Sequence, residues 1–471
     1  LLLTEADSGI AWSSWNGEAV TLSAGAPLVG LKWSSYKGKI VVADLPDGVN
    51  ASAIDSLFSV AEGGPTATDS QRHVRARYPN GNSEVDRMPS NYDKLGGGAG
   101  STRSWVAAEN RSERFPDIVR NSSFYPWFGH SNDLRWVLDY HTENASSYYS
   151  PARSFWQAGI GTAAKYNTTT FSPRVAEWTN VPDVVLHVIH YDWWGNWQWK
   201  LDTIDLETQT MKFGFGGFQD AHGGPVASNY FFAENILEEL DAPSEWYVDR
   251  HARKIYFWPT SPELLEAGSS TLVVSQLQTV VRMAGSTTNA PTTGITLSGF
   301  TFAHTTTMFV AEKYSVPSAG DWSVLSRGTV ELDGVQAVEI LGCSWAQIGG
   351  NGVSLSGSVH DTVIADGDFL KVGDSGIVSV GRLPPEAPFD GSHAKAEFPM
   401  NVTIERCHFG QTGVFGKQTS ALFIAVSKRI IFRDNVLYDG PRAGININDG
   451  ALLARHGCCR MMAFCRFPPA L

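Results

Sequence analysis

Three features of the sequence predict an all-β fold, a right-handed parallel β-helix with an inserted antiparallel β-rich domain. The first is composition. Charged residues make up 18% of the 471 residues, and there are 46 glycines. Soluble chains usually carry ~25% charge and ~7% glycine. Few charges and many glycines argue against helical bundles and coiled coils. The second feature is a segment pattern that recurs five times. The third is a change of texture from Val184 onward.

The segments align as apolar-x-apolar-x-x-X-x-apolar. They begin at Ile295, Val338, Thr362, Val402 and Ile430, and the X column holds Phe300, Cys343, Gly367, Cys407 and Asn435. The X residues are 43, 24, 40 and 28 residues apart. A second apolar strand follows ten residues after X at Val310, Val353, Ile377 and Ile445, and fifteen after Cys407 at Leu422. Short alternating strands of this length cannot bury their own apolar face and must stack on copies of themselves. The long spacings place extra loops at 311–328 and 383–399. Glycines at 349, 350, 352, 373, 376 and 444 precede the second strand and suit its corners. Handedness follows the general rule for parallel crossovers. A β-propeller and a β-sandwich are the competing architectures. Propeller blades need ~40–50 residues, and the regular ten-residue offset counts against them.

About 150 residues per domain gives two or three domains, or one elongated one. The division read here is 1–80 as first coils, 81–270 as irregular loops and the inserted domain, 271–450 as further coils, and 451–471 as an aberrant tail. Alternation at 19–25 and 39–43 supports the first block. In the second, Val184–His190, the Trp-rich run 193–199, 200–206 and 211–215 read as antiparallel strands. A short helix is predicted over 233–240, and a hairpin over 245–258 around Arg250-His-Ala-Arg253. The coils resume at Leu272.

The chain opens Leu1-Leu2-Leu3-Thr4-Glu5, without Met, a basic stretch or an apolar run. It reads as a fragment or a processed end. Asn50, Asn110, Asn121, Asn144, Asn167 and Asn401 lie in N-x-S/T sites, which points to a secreted or cell-surface glycoprotein. The net charge of −12 opposes nucleic acid or an anionic membrane as partner. No run approaches the ~18 apolar residues of a membrane span. Cys343 and Cys407 are expected as buried free thiols, and no C-x-x-C pair supports a zinc ribbon. Nucleotide-binding, zincin and nucleophile-elbow motifs are absent, so no cofactor and no metal is called for.

Arg75-Ala-Arg-Tyr-Pro-Asn-Gly-Asn82, Asn235-Ile-Leu-Glu-Glu-Leu240, Glu245-Trp-Tyr-Val-Asp-Arg250 with Ile255-Tyr-Phe-Trp-Pro259, and Asp439-Gly-Pro-Arg-Ala-Gly-Ile445 resemble the pectin-lyase-like β-helix superfamily. The likeness is to its glycoside-hydrolase branch with an inserted sheet domain, including α-L-fucosidase-like members, and spans roughly residues 10–450. It implies carbohydrate chemistry on extracellular glycans. Residues 451–471 depart from that pattern. They lose all alternation, gather Cys458, Cys459 and Cys465, and have the texture of a shifted frame. A last coil without a cap exposes its core column near Ile445 and Ile447, so weak or absent hydrolysis is expected of this chain.

Glycoside hydrolysis needs two carboxyl groups, ~5–5.5 Å apart for retention or ~6.5–9.5 Å for inversion. Neighbouring coils are ~4.8 Å apart, so acidic corner residues of nearby coils meet that geometry. The candidates are Asp374, Asp439 and Asp449, with His393 a weaker one. The column four after X, His304, Gln347, Lys371, Gln411 and Asp439, is polar throughout and reads as a solvent-facing groove. Arg442, Asn446 and Asn448 are candidates for substrate binding. Trp194 and Trp197 are candidates to stack on sugar rings, though the alternation places one pair of the Trp run inside. Each Asp has an ordinary alternative role as a turn residue. Two other functional classes fit the same residues. One is a non-catalytic adhesive β-helix. The other is a polysaccharide lyase with Ca²⁺ near Asp366, Asp368 and Lys371.

Overall fold

The computed structural model describes residues 1–61, 70–78, 80, 105–106, 163–166, 174–189, 196–208, 210–216, 230–266, 270–285, 290–309, 322–382 and 397–448. The described residues are all β apart from 3₁₀ turns of three or four residues. None of their helices is long and apolar enough to cross a membrane.

Parallel strands stack in the register that the aligned segments predict. Leu297 pairs with Ile340, Ile340 with Ile364, Ile364 with Ile404, and Ile404 with Phe432. After the X column, Phe302, Trp345, Phe369, Phe409 and Leu437 pair in turn. Val353, Ile377, Leu422 and Ile445 form the third row. These rows converge in one core, where Phe302, Trp345 and Phe369 are 0% exposed. Burying each such side chain contributes ~1.5–3 kcal/mol.

The corners between strands share one backbone solution. The residues six before X (Gly294, Ala337, Asp361, Asn401, Arg429), one before X (Gly299, Gly342, Asp366, Arg406, Asp434) and four after X (His304, Gln347, Lys371, Gln411, Asp439) all have positive φ, between 51° and 74°. Each corner turns on a single left-handed residue. β-branched side chains are the worst fit to that conformation, and none of these fifteen positions carries one.

That observation corrects the reading of the polar column as a solvent-facing groove. His304 and Gln347 are 3% and 0% exposed. Polarity there follows the left-handed backbone, and only Asp439 at the far end is exposed.

The X column lies in register. The backbone N–H of Asp368 donates to Cys343 O at 3.0 Å, and that of His408 to Gly367 O at 2.8 Å. Cys343 and Cys407 are buried free thiols, as expected. Asn435 accepts the Cys407 N–H at 2.8 Å through Oδ1 and donates to Ile404 O at 3.0 Å through Nδ2.

The third row begins differently from its expected position. Val330, not Val310, pairs with Val353. The inserted loop precedes the strand rather than following it, and Val310 lies outside the described residues. The stack also takes in the start of the chain. Leu2–Leu3, Ala11–Ser13 and Val20–Ser23 pair in parallel with Val281–Ala284, Thr296–Ser298 and Phe300–Ala303.

Residues beyond that first turn do not continue the coils as predicted. Ile40–Asp44 is antiparallel to both Ser34–Lys37 and Lys254–Phe257. Alternation identified the strand, but Gly38 at φ 59° closes a tight hairpin and reverses the chain. Ser270–Ser275 is likewise antiparallel to Leu57–Ala61, so parallel pairing resumes at Val281 rather than at Leu272. The helix expected over 233–240 is a strand, Tyr230–Glu234, followed by a 3₁₀ turn at Leu237–Glu239. Asn235 at φ 69° prevents a continuous helix.

A seven-stranded sheet shares no strand pairing with the stack. Within it Val185–Ile189 is antiparallel to Asn196–Asp205 and to Tyr230–Glu234. The hairpin of Glu245–Asp249 and Lys254–Phe257 forms as predicted but belongs to a different, five-stranded sheet.

Candidate functional site

The corner after the X-column strand is where residues of the seven-stranded sheet bond the stack, and Asp374 stands beside that contact. In the third segment this corner is Gly373-Asp-Ser-Gly376. Gly373 and Gly376 leave no room for a side chain, because a Cβ on either would overlap backbone of the neighbouring rungs. That close approach presses Asp374 into the structure at 3% exposure.

Asp374 Oδ1 accepts the Ser375 N–H at 3.0 Å and faces the Ser375 hydroxyl at 3.5 Å. Among the described residues no donor reaches Oδ2. Burial drives the carboxyl up to about 7, and the Ser375 bonds oppose that rise. At neutral pH it is therefore shared between a neutral acid and a carboxylate.

The five extra residues of the next corner form the wall of this site. The N–H groups of Gly413 and Val414 donate to Asp374 O and Val372 O at 2.9 and 3.0 Å, and those of Phe415 and Gly416 to Gly373 O at 2.9 and 3.0 Å. A Cβ on Gly416 would overlap Asp374 Oδ2. Lys417, next in the chain, is 4% exposed. Pro441 of the following corner packs where a Gly413 side chain would point.

Asp439 and Arg442 stand on that following corner, and both are exposed. Asn446 is half-buried and pairs with Phe423, while Asn448 is 8% exposed and donates its N–H to Ile424 O at 2.8 Å. The corners thus bring Gly416 against Asp374 and Pro441 against Gly413. Asp449, Trp194 and His393 lie outside the described residues, as do residues 451–471 and Asn110, Asn121, Asn144 and Asn167.

Trp197 is not available to a sugar. It is 0% exposed and stacks with Trp199 at 6.2 Å inside the seven-stranded sheet. Asn196–Asp205 alternates, and Trp197 and Trp199 share its inward face. The oxygens of the lyase reading are engaged too. Arg406 takes both oxygens of Asp366 at 2.7 and 2.9 Å, and His408 Nδ1 lies 2.9 Å from Asp368 Oδ1.

Sequence reasoning missed a second buried charged cluster. Glu234, 1% exposed, accepts from Arg75 at 2.7 Å and Arg77 at 2.5 Å and lies 3.1 Å from His187 Nε2. Burial raises its proton affinity. Arg75, Arg77 and His187 outweigh that and hold it well below the carboxylate range. Arg75 pairs into the five-stranded sheet and Arg77 into the seven-stranded one, with Ala76 between. The cluster joins two sheets. The only sequence signal was the Arg-Ala-Arg spacing.

No family model matches the chain, and no curated protein matches it either. A solved structure described as a glycoside hydrolase is similar over 94% of this chain and 69% of its own, with a TM-score of 0.59 and 18% identity. The likeness is one of fold. A second, the complex structure of XylC with xylose, covers 95% of this chain and 54% of its own at TM-score 0.37 and 10% identity. That value is too low to bear on the fold.

Proposed function

We propose that this chain is a right-handed parallel β-helix protein of the pectin-lyase-like kind, and a carbohydrate-active enzyme of glycoside-hydrolase type acting on extracellular or cell-wall glycans. The observation that carries this reading is Asp374, a carboxyl 3% exposed at a corner of the stack against Gly416, where burial pushes it up to about 7. A glycosidase needs such a group to protonate the leaving oxygen. The fold shared with a protein described as a glycoside hydrolase supports the same reading.

In this scheme Asp374 is the general acid and Asp439 the second carboxyl. Their corners are two rungs apart, roughly 10 Å along the stack at ~4.8 Å per rung, with Asp374 seven residues and Asp439 four residues after the X residue of its own rung. Arg442, Asn446 and Asn448 would contact sugar hydroxyls or carboxylates on the same side, and Asp449 remains a candidate beside them. The fucosidase-like branch is the resemblance to test first among monosaccharides. Secretion belongs to the proposal as well, and of the described sequons Asn50 is the exposed one.

Asp374→Asn and Asp439→Asn should each abolish reducing-end release from a cell-wall polysaccharide while the chain still melts in one cooperative transition. Release that survives both substitutions would refute the assignment. An adhesive reading is favoured by a different observation, the packing of residues 412–419 against Asp374. It predicts glycan binding that is indifferent to Asp374→Asn.

A further inference from the structure

The seven-stranded sheet grips the loop that walls Asp374. Asn196, 7% exposed, accepts the backbone N–H of Lys417 at 2.9 Å through Oδ1. The same oxygen accepts from Gln198 Nε2 at 2.9 Å, and Gln198 Nε2 also reaches Phe415 O at 3.3 Å. Phe415 and Val414 pack with Val185 and Phe309 at this contact. The loop is therefore held from two sides, by the Val372–Asp374 backbone below and by two amide side chains of the sheet above.

Asn196 and Gln198 begin the strand that continues into Trp197 and Trp199. The tryptophans face the sheet core, and the amides between them face the stack. The buried Asn196 amide finds its partner in the loop backbone, as buried polar groups do, and so ties the loop to the sheet. The bare Cα of Gly416 is the surface against which Asp374 Oδ2 rests.

We propose that Asn196 and Gln198 are positioning residues, which hold residues 412–419 against one side of Asp374 and limit the water around its carboxyl. The inference rests on the reading of Asp374 as the acid. With the loop in place, the carboxyl has little solvation for its charged form. With the loop released, water reaches Oδ2 and the acid falls toward the ordinary ~3.9 of an aspartate. Charged side chains on the elements packed here are Lys417 on the loop, Arg72 at 5.1 Å from the Phe415 ring, and Asp439 and Arg442 on the next corner. Burial remains the largest cause of the shift.

The test reads the carboxyl directly. Infrared difference spectra of the full chain against Asp374→Asn, taken through a pH titration, isolate the protonated band of Asp374. The midpoint should lie near 7 in the unmodified chain. It should fall by one unit or more, tenfold in proton affinity, in Asn196→Ala/Gln198→Ala. Hydrogen exchange at the amides of Phe415 and Gly416 should quicken about tenfold in the same variant. Should the double variant not fold, Gln198→Ala alone gives the same readout at smaller amplitude. A midpoint that stays put while the loop amides exchange faster overturns the proposal, and so do loop amides that do not respond. Turnover is not the readout. Polysaccharide release that survives Asp374→Asn would sink the glycosidase reading and leave this one standing, whereas an unmoved midpoint would do the reverse.

Discussion

The rings of Trp345 and Phe369 stack in parallel, 4.2 Å apart and 4° from coplanar, in the middle of the aromatic column that runs along the strand stack. Phe369 stacks on Phe409 in turn at 4.6 Å and 9°. One residue thus supports two neighbours on successive rungs. Gly352 and Gly376 lie flat against the rims of the Phe369 and Phe409 rings, which leaves no slack for the column to move sideways.

Phe369→Ala should therefore destabilise the chain by ~3–5 kcal/mol, the usual range for removing a fully buried Phe. Urea unfolding measures it. A loss below about 1 kcal/mol would mean that the column collapses to fill the space and that the rungs are not rigidly registered.

This column also marks how much of the fold could be read from sequence. The apolar pattern placed Phe302, Trp345, Phe369, Phe409 and Leu437 in one row, because a parallel stack repeats its register at each rung. It misplaced Val310, since the pattern cannot say on which side of an inserted loop the next strand lies. It could not give the direction of pairing, so Ile40–Asp44 was assigned to the coils. Asp374 was legible as a corner acid. Its burial was not, because that depends on residues 412–419, which come from the next rung, and on the amides of Asn196 and Gln198 from a distant sheet. Trp197 was legible only as half of an alternation, and the structure decides that it faces the core.

Asp374 should make stability depend on pH in a definite sense. Its folded value is raised to about 7, so its contribution is full below the unfolded value of ~3.9 and is lost as pH rises through 7. By pH 8.5 the buried carboxylate costs about 4 kcal/mol relative to an unshifted group. Asp374→Asn removes that penalty. Its melting temperature should rise relative to the unmodified chain between pH 4 and 7, where that penalty grows. A constant difference across that range would contradict the burial argument.

Glu234 should act in the opposite sense. Its folded value is depressed by Arg75, Arg77 and His187 against the pull of burial. Its contribution is present above the unfolded ~4.3 and is lost as pH falls below that. Glu234→Gln leaves two buried guanidinium groups without their anion and should cost ~3–5 kcal/mol at pH 7. The loss should shrink as pH drops below about 4. Equal destabilisation at pH 7 and pH 3, read by denaturant melts, would show that the cluster is packing rather than charge.

Cys343 and Cys407 should resist thiol reagents in the folded chain. Both are buried, and burial drives the Cys407 thiol up to about 11, so little thiolate forms at pH 8. Peptide mapping after a pulse of iodoacetamide should find both unlabelled natively and labelled in denaturant. Rapid native labelling of Cys407 would mean that the Asn435 clasp opens.

The central claim is that Asp374 donates a proton to a glycosidic oxygen. The most direct measurement compares the unmodified chain with Asp374→Asn on two probes, a soluble cell-wall polysaccharide and the matching 4-nitrophenyl glycoside. A lost general acid should lower kcat on the polysaccharide ~10²–10⁴-fold. The fall should be far smaller on the nitrophenyl substrate, whose leaving group departs without protonation. Equal losses on both probes, or polysaccharide turnover undiminished in Asp374→Asn, would contradict the account.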